Sequence, residues 1–280
     1  MVTTANSSTT ILGTDLSKRQ YGLDIMRAAA IMFVVVGHQL DLLPSSLENI
    51  VGFFVLDGVN IFFVLSGFLI GGILIRTINR SFGARDLLVF WVNRWMRTLP
   101  PYYIVLTLLL CLYALFNIYL YPAPLSLKDT FKYYFFVQGL AWIMPNFFSE
   151  SWSLCVEEWF YLITPAFLFF LCFFLKIKPK RSLLIVAASI IAGVTAYRFF
   201  RHYTLGLDWN AGKYHFIFFY KQVVTRLDAI MYGILGAYTA YYHAGFWKKC
   251  KNIAFLLGVI ITLADHCSGS IMQFAGIETP

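Results

Sequence analysis

The sequence predicts an all-α membrane protein, a polytopic transmembrane bundle of about seven to eight spanning helices with an amphipathic helix lying at the interface. Three observations predict it. Hydrophobic residues fill 59% of the 280 positions and charged residues only 13%, where soluble domains average about 45–50% apolar and about 25% charged. The apolar residues are gathered in runs close to the roughly 20 residues that a helix needs to cross a bilayer. The formal charge of +8 sits mostly in short Lys and Arg clusters between those runs, unlike the single basic stripe or tail of a nucleic-acid binder, so the expected partner is a lipid bilayer and not nucleic acid.

Residues 1–20 form a polar, Thr/Ser-rich N-terminal tail without a basic segment followed by an apolar core and a small-residue cleavage site. No cleaved signal is expected, and the first spanning helix directs insertion. Residues 21–280 then read as one membrane domain. Spanning helices are predicted at 23–43, 55–75, 102–120, 154–175, 182–200, 227–242 and 252–265, the last two at the short end of the range. Segment 131–144 stops at Pro145 and is open to three readings: re-entrant, interfacial or a marginal span. Segment 86–99 carries Arg94 and Arg97 on a polar side and ends at Pro100–Pro101, which predicts the interfacial amphipathic helix. Five cysteines lack metal-site spacing, so neither a metal site nor a disulfide framework is expected.

Orientation follows from where Lys and Arg lie in short loops. Lys18 and Arg19, then Arg76, Arg80, Arg85, Arg94 and Arg97, then Lys176, Lys178, Lys180 and Arg181, and finally Lys248, Lys249 and Lys251 share one side if 131–144 does not cross. That side, with the N-terminus, is read as cytoplasmic. Arg201, Lys213 and Lys221 are exceptions on the opposite side.

Ionisable groups inside a span cost at least about 2.5–3.5 kcal/mol at the helix centre and mark candidate functional sites. Arg27 and His38 both fall in the first span, eleven positions apart. They therefore share one helix face, displaced by about 16 Å along the axis. Arginine suits phosphate, because its planar fork is always charged and binds bidentately. Histidine suits proton transfer near neutral pH. Spacing alone does not separate this reading from the plainer one, in which Arg27 snorkels beside Asp24 and His38 merely packs. Glu157 and Glu158 open the 154–175 span; for Glu158 a boundary acid favoured by the helix dipole is an equal reading. Arg94 and Arg97, three apart, suit either the phosphates of a nucleotide donor or anionic lipid headgroups. Arg226 and Asp228, two apart, cannot share a face and each needs its own partner. Ser66 and Gly67 sit mid-span among small residues and are read as packing.

Five strings, in order, resemble the acyltransferase-3 family of membrane acyltransferases: LDIMRAAAIMFVVVGH with its Arg, ten residues, His pattern; GVNIFFVLSGFLI with Asn60 where an acid is usual; NRWMRTLPPYY, similar to RxxRixPxY; SWSLCVEEWFYL, similar to WSLsvEeqFYl with Cys155 and Trp159 as departures; and TRLDAIMYGILGAY. The resemblance covers residues 21–238. It implies transfer of an acyl group, commonly acetyl from acetyl-CoA, to a hydroxyl of an envelope or extracellular carbohydrate or lipid-linked glycan, by a multi-pass protein of the cell membrane. It also implies an essential role for Arg27 and His38. On that basis His38 is expected to be the general base and Arg27 to hold phosphates of the acyl-CoA donor. Glu157 stands at the family's acidic position, to orient His38 or contact acceptor hydroxyls, and Arg94 and Arg97 are donor-binding candidates. Acyl-CoA is a substrate, and no permanently bound cofactor is expected. Because the family usually has more spanning helices than this chain, the resemblance implies a C-terminally shortened member. The alternative from another class is a transporter or flippase, whose path intramembrane Arg, Glu and His would line.

Overall fold

The structure is a computed structural model that describes residues 21–44, 47, 50–52, 55, 57–80, 82–116, 125–145, 147–205 and 216–274, among which no strand occurs. The long elements are α1 (Tyr21–Gly37), α2 (Gly58–Arg80), α3 (Ala84–Phe116), α4 (Leu127–Tyr134), α5 (Trp152–Phe173), α6 (Pro179–Leu205), α7 (Leu227–Tyr242) and α8 (Ala244–Phe274). Helix is the expected outcome, since each backbone N–H and C=O in a bilayer must be satisfied within its own segment. Four of these regions, Gly58–Arg80, Ala84–Leu115, Ser149–Phe173 and Pro179–Leu205, are long and apolar enough to cross a membrane. The all-α membrane class stands on these four. α1 and α7, with 17 and 16 residues, are shorter. The predicted 252–265 segment lies inside the longer α8.

Two sequence expectations are altered. The interfacial helix predicted at 86–99 and residues 102–116 of the span predicted at 102–120 are one continuous helix, α3, with Pro100 and Pro101 inside it, while 117–120 lie outside the described residues. Two prolines remove two backbone donors and ordinarily end a helix. At membrane depth a break would expose still more backbone, and spanning helices tolerate proline for that reason. Segment 131–144, in turn, is helical only to Tyr134 and continues as a folded loop.

The chain divides into two compact units, Met1–Gly72 with Tyr232–Thr279, and Ile73–Met231. In the first unit, glycines set the helix contacts. A Cβ on Gly58 would lie 2.3 Å from the Ala30 carbonyl oxygen, so α1 and α2 touch backbone to backbone. A Cβ on Gly233 would lie 2.1 Å from the Val64 carbonyl oxygen and 2.9 Å from the Gly67 carbonyl carbon, and one on Gly71 would lie 2.9 Å from Ala237 Cβ. Gly67-x-x-x-Gly71 on α2 therefore meets Gly233-x-x-x-Ala237 on α7, the small-residue packing that membrane helices use. This bears out the packing assignment for the Ser66–Gly67 stretch. Since 67 pairs with 233 and 71 with 237, the two helices run parallel. Asp57 caps α2: its Oδ1 accepts from the Asn60 backbone N–H at 3.0 Å and its Oδ2 from the Asn60 side-chain amide at 2.6 Å, satisfying a donor that the helix start leaves open.

In the second unit α5 is central, burying Cys155, Val156, Phe160 and Leu168 completely. α3 and α6 pack on it, and a short turn at Val223–Thr225 packs on α5 and α6. The loop after α4 is held from several sides. Tyr102 and Tyr103, just past the α3 prolines, donate to the carbonyls of Tyr133 and Tyr134, each at 2.9 Å. Val223 and Val224 donate backbone N–H groups to the Gly139 and Leu140 carbonyls at 2.9 and 3.1 Å.

Candidate active site: an arginine–histidine helix and a carboxylate seam

Arg27 and His38 belong to the first unit, and Arg94, Arg97, Glu157 and Glu158 to the second. α1 ends at Gly37, so His38 is the first residue beyond the helix and not within it as expected. Its backbone N–H still bonds to the Val34 carbonyl at 3.1 Å, which keeps the helical spacing from Arg27. Its ring Nδ1 lies 2.8 Å from the same oxygen. A carbonyl only accepts, so Nδ1 carries a proton, and in the neutral ring Nε2 then has the free lone pair. His38 is exposed, which leaves that lone pair accessible. Arg27 is half-buried, and its Nε is buried without a hydrogen-bond partner among the described residues. Such a group lacks an acceptor that an anion would supply.

The second unit assembles a polar seam between α3 and α5. Glu157 and Glu158 are each only 6% exposed, although sequence placed Glu158 as readily at a wet boundary. The Tyr161 hydroxyl donates to Glu157 Oε2 at 3.1 Å. The Arg94 guanidinium carbon lies 5.9 Å from the Tyr161 ring centre and 6.0 Å from that of Phe90, within reach of a cation–π contact. The Trp91 indole N–H donates to the Tyr161 carbonyl at 3.0 Å, tying α3 to α5. Arg94 thus lies against the Tyr161 ring in the seam, while Arg97 is exposed. The two arginines read as a pair from sequence have different surroundings.

Both departures in SWSLCVEEWFYL converge on one atom. Cys155 Sγ and Trp159 Nε1 donate to the Phe136 carbonyl at 2.8 and 2.7 Å. Phe136 has φ of 54°, a left-handed conformation rare for an aromatic residue. Where the family pattern has serine and glutamine, this chain keeps a donor at each position, one S–H and one N–H. α5 therefore fixes the loop entering it through these two donors.

Sequence reasoning missed the arginines of α6. Arg198 pairs with Asp228 at 2.8 Å and donates through Nε to the Thr225 carbonyl at 2.9 Å. Arg201 is buried and bonds Gln222 and, at 3.4 Å, the Ala141 carbonyl. Its charge is structural, which explains why it broke the loop-charge rule. The Arg226 guanidinium stacks 4.3 Å from the Tyr220 ring centre. Arg226 and Asp228 thus each have a separate partner, as their spacing required.

An acyltransferase-domain profile matches residues 20–275, nearly the whole chain. The chain belongs to the acyltransferase-3 family. Its ordered motifs, including the stretch from Arg27 to His38 and the one around Glu157, lie inside the matched region. Among curated relatives, the peptidoglycan O-acetyltransferase OatA of Listeria monocytogenes is 32% identical over 177 residues, which cover 59% of this chain and 26% of the relative. The putative peptidoglycan O-acetyltransferase YrhL of Bacillus subtilis is 32% identical over 186 residues, covering 62% and 28%. The O-acetyltransferase OatA of Staphylococcus aureus is 30% identical over 171 residues, covering 57% and 26%. The matched part of each relative is thus little more than a quarter of its length. No solved structure matches the chain.

Proposed function

We propose that this domain is a membrane O-acetyltransferase that carries an acetyl group from acyl-CoA, on the cytoplasmic side, to a hydroxyl of cell-wall carbohydrate of the peptidoglycan class. The observation that carries this reading is the acyltransferase-domain match over residues 20–275. The names of the curated relatives support the acceptor class.

His38 Nε2, freed by the Nδ1 bond to Val34, takes the proton of the attacking hydroxyl. The hydroxyl oxygen adds to the thioester carbonyl, the C–S bond breaks, and the thiolate of the donor is reprotonated from the imidazolium. A well-placed base of this kind contributes about 10²–10⁴-fold. The same nitrogen serves a two-step route through an acyl-histidine, and trapping of labelled acyl-enzyme without acceptor separates the two. Arg27, with its open Nε, holds a phosphate of the donor. Of the α3 arginines, exposed Arg97 is the better phosphate ligand, and Arg94 lies against the Tyr161 and Phe90 rings. Positive loops on the cytoplasmic side, with the N-terminus there, fit the same direction of transfer.

The test is mass spectrometry of muropeptides from cells with and without the gene, scoring base-labile acetate. The gene is expected to raise acetate, and His38→Ala is expected to abolish the increase while leaving protein level near wild type. Full acetylation by His38→Ala would sink the mechanism, and acetate that does not depend on the gene would sink the function.

A further inference from the structure

Glu158 is the buried ionisable group for which the proposed mechanism has no use. It lies six residues past the start of α5, about 9 Å along the axis, and is 6% exposed. Among the described residues neither Oε1 nor Oε2 is met by a hydrogen bond of good geometry, although the Thr98 and Trp95 side chains of α3 approach the carboxyl. Its neighbour Glu157 is different, because Tyr161 donates to it. The Thr98 and Trp95 side chains of α3, the Tyr103 hydroxyl and Glu157 itself act on this carboxyl. The Thr98 hydroxyl is engaged with the Arg94 carbonyl at 3.1 Å, and the Tyr103 hydroxyl with the Tyr134 carbonyl at 2.9 Å.

A buried carboxyl with two unmet oxygens is costly, and the cost is greater in a membrane span. An apolar side chain of similar volume fits such a position with no penalty, and is often stabilising. A carboxyl here is therefore expected to serve a ligand. The chemistry of that ligand follows from the site. A second carboxylate at the adjacent position repels phosphate and any other anion. The open oxygens call for O–H or N–H donors on an uncharged stretch of molecule.

We propose that Glu158 is a substrate-binding residue, taking hydrogen bonds from hydroxyl or amide groups of a substrate held between α3 and α5. Two substrates of the proposed reaction carry such groups: the hydroxyls of the carbohydrate acceptor, and the hydroxyl and amides of the pantetheine arm of the donor. The inference rests on the proposed function only for this choice of probes.

The experiment uses the full chain in lipid nanodiscs, with Glu158→Leu, Glu158→Gln and, as a control at an exposed position, Glu150→Gln. Binding of coenzyme A and of a chitin oligosaccharide is measured by calorimetry, and melting is followed in parallel. Loss of a hydrogen bond to a charged group corresponds to about tenfold to a hundredfold in affinity. Glu158→Leu is expected to weaken one probe by that factor while melting at or above the wild-type temperature. Glu158→Gln, which keeps one accepting oxygen, is expected to lose less, and Glu150→Gln nothing. The probe that weakens identifies the substrate. Three results overturn the proposal: unchanged affinity for both probes in Glu158→Leu, a melting temperature that falls together with affinity as for a structural carboxyl, or a wild type that binds neither probe. A wild type that binds a probe through Glu158 yet transfers no acetyl group overturns the proposed function and leaves this inference standing.

Discussion

At the scale of single residues, the Phe136 carbonyl shows how a departure from a family pattern is absorbed. Two donors from successive turns of α5, Cys155 and Trp159, meet that oxygen, and the left-handed backbone at Phe136 presents it to them. Hydrogen bonds of this kind contribute about 0.5–1.5 kcal/mol each. Cys155→Ser is expected to retain wild-type stability, because a hydroxyl donates in place of the thiol, whereas Cys155→Ala and Trp159→Phe should each lower stability by about 1 kcal/mol. Thermal melts in one detergent decide it, and equal melting of the serine and alanine variants would show that the thiol donates nothing. The same scale shows what sequence reveals and what it hides. Arg27 and His38 stood out as candidates because intramembrane charge is anomalous and helical spacing is arithmetic. Arg198 and Asp228 were not legible as a pair, because they lie 30 residues apart and only the folded unit joins them. Arg201 was misread as a loop charge, because nothing local announces its partner Gln222.

At the scale of elements, the apolar runs made the helices legible, and proline and glycine misled or informed according to what surrounds them. Pro100–Pro101 marks a boundary in a chain dissolved in water, but α3 runs through it. The crossing of α2 and α7 is set by the absence of side chains at Gly233 and Gly71. Gly233→Ala puts a methyl where a Cβ has 2.1 Å to the Val64 oxygen, so the helices must separate. Overpacking of this kind costs about 1–3 kcal/mol, and Gly72→Ala, with open space around its Cβ, is the matched control expected to be near neutral. α4 supplies a pH-dependent element. Ser126 and Asp129 cap its first turn reciprocally at 2.8 and 3.1 Å. The hydrogen bond from Lys132, and then that from Ser126, hold the Asp129 carboxyl below the usual carboxylate range. A depressed value means that its contribution is complete above the unfolded carboxylate value of about 3.9 and is lost as pH falls through the lower folded value. Hydrogen exchange in α4 is expected to accelerate in that acidic window in wild type. Asp129→Asn should show fast exchange already at neutral pH and little further change on acidification.

At the scale of the whole molecule, the parallel run of α2 and α7 constrains how the chain threads the bilayer. Helices that cross in the same direction are separated by an odd number of crossings. α3, α5 and α6 supply three, provided that residues 127–145 do not cross, and α4 ends at Tyr134, far short of a span. On that count the Lys and Arg clusters at 76–85 and 176–181 are expected on one side of the bilayer and the loops at 125–145 and 216–226 on the other. The parallel contact of the two glycine motifs is compatible with the arrangement that the charge rule predicts. Single cysteines test it in a background where the native ones are replaced, with serine at 155. An impermeant maleimide added to intact cells is expected to label Lys128→Cys and Tyr203→Cys, and to reach Lys178→Cys only after the membrane is opened. Labelling of Lys128→Cys and Tyr203→Cys from opposite sides would mean that the segment after α4 crosses. The parallel α2–α7 contact would then require a further crossing elsewhere.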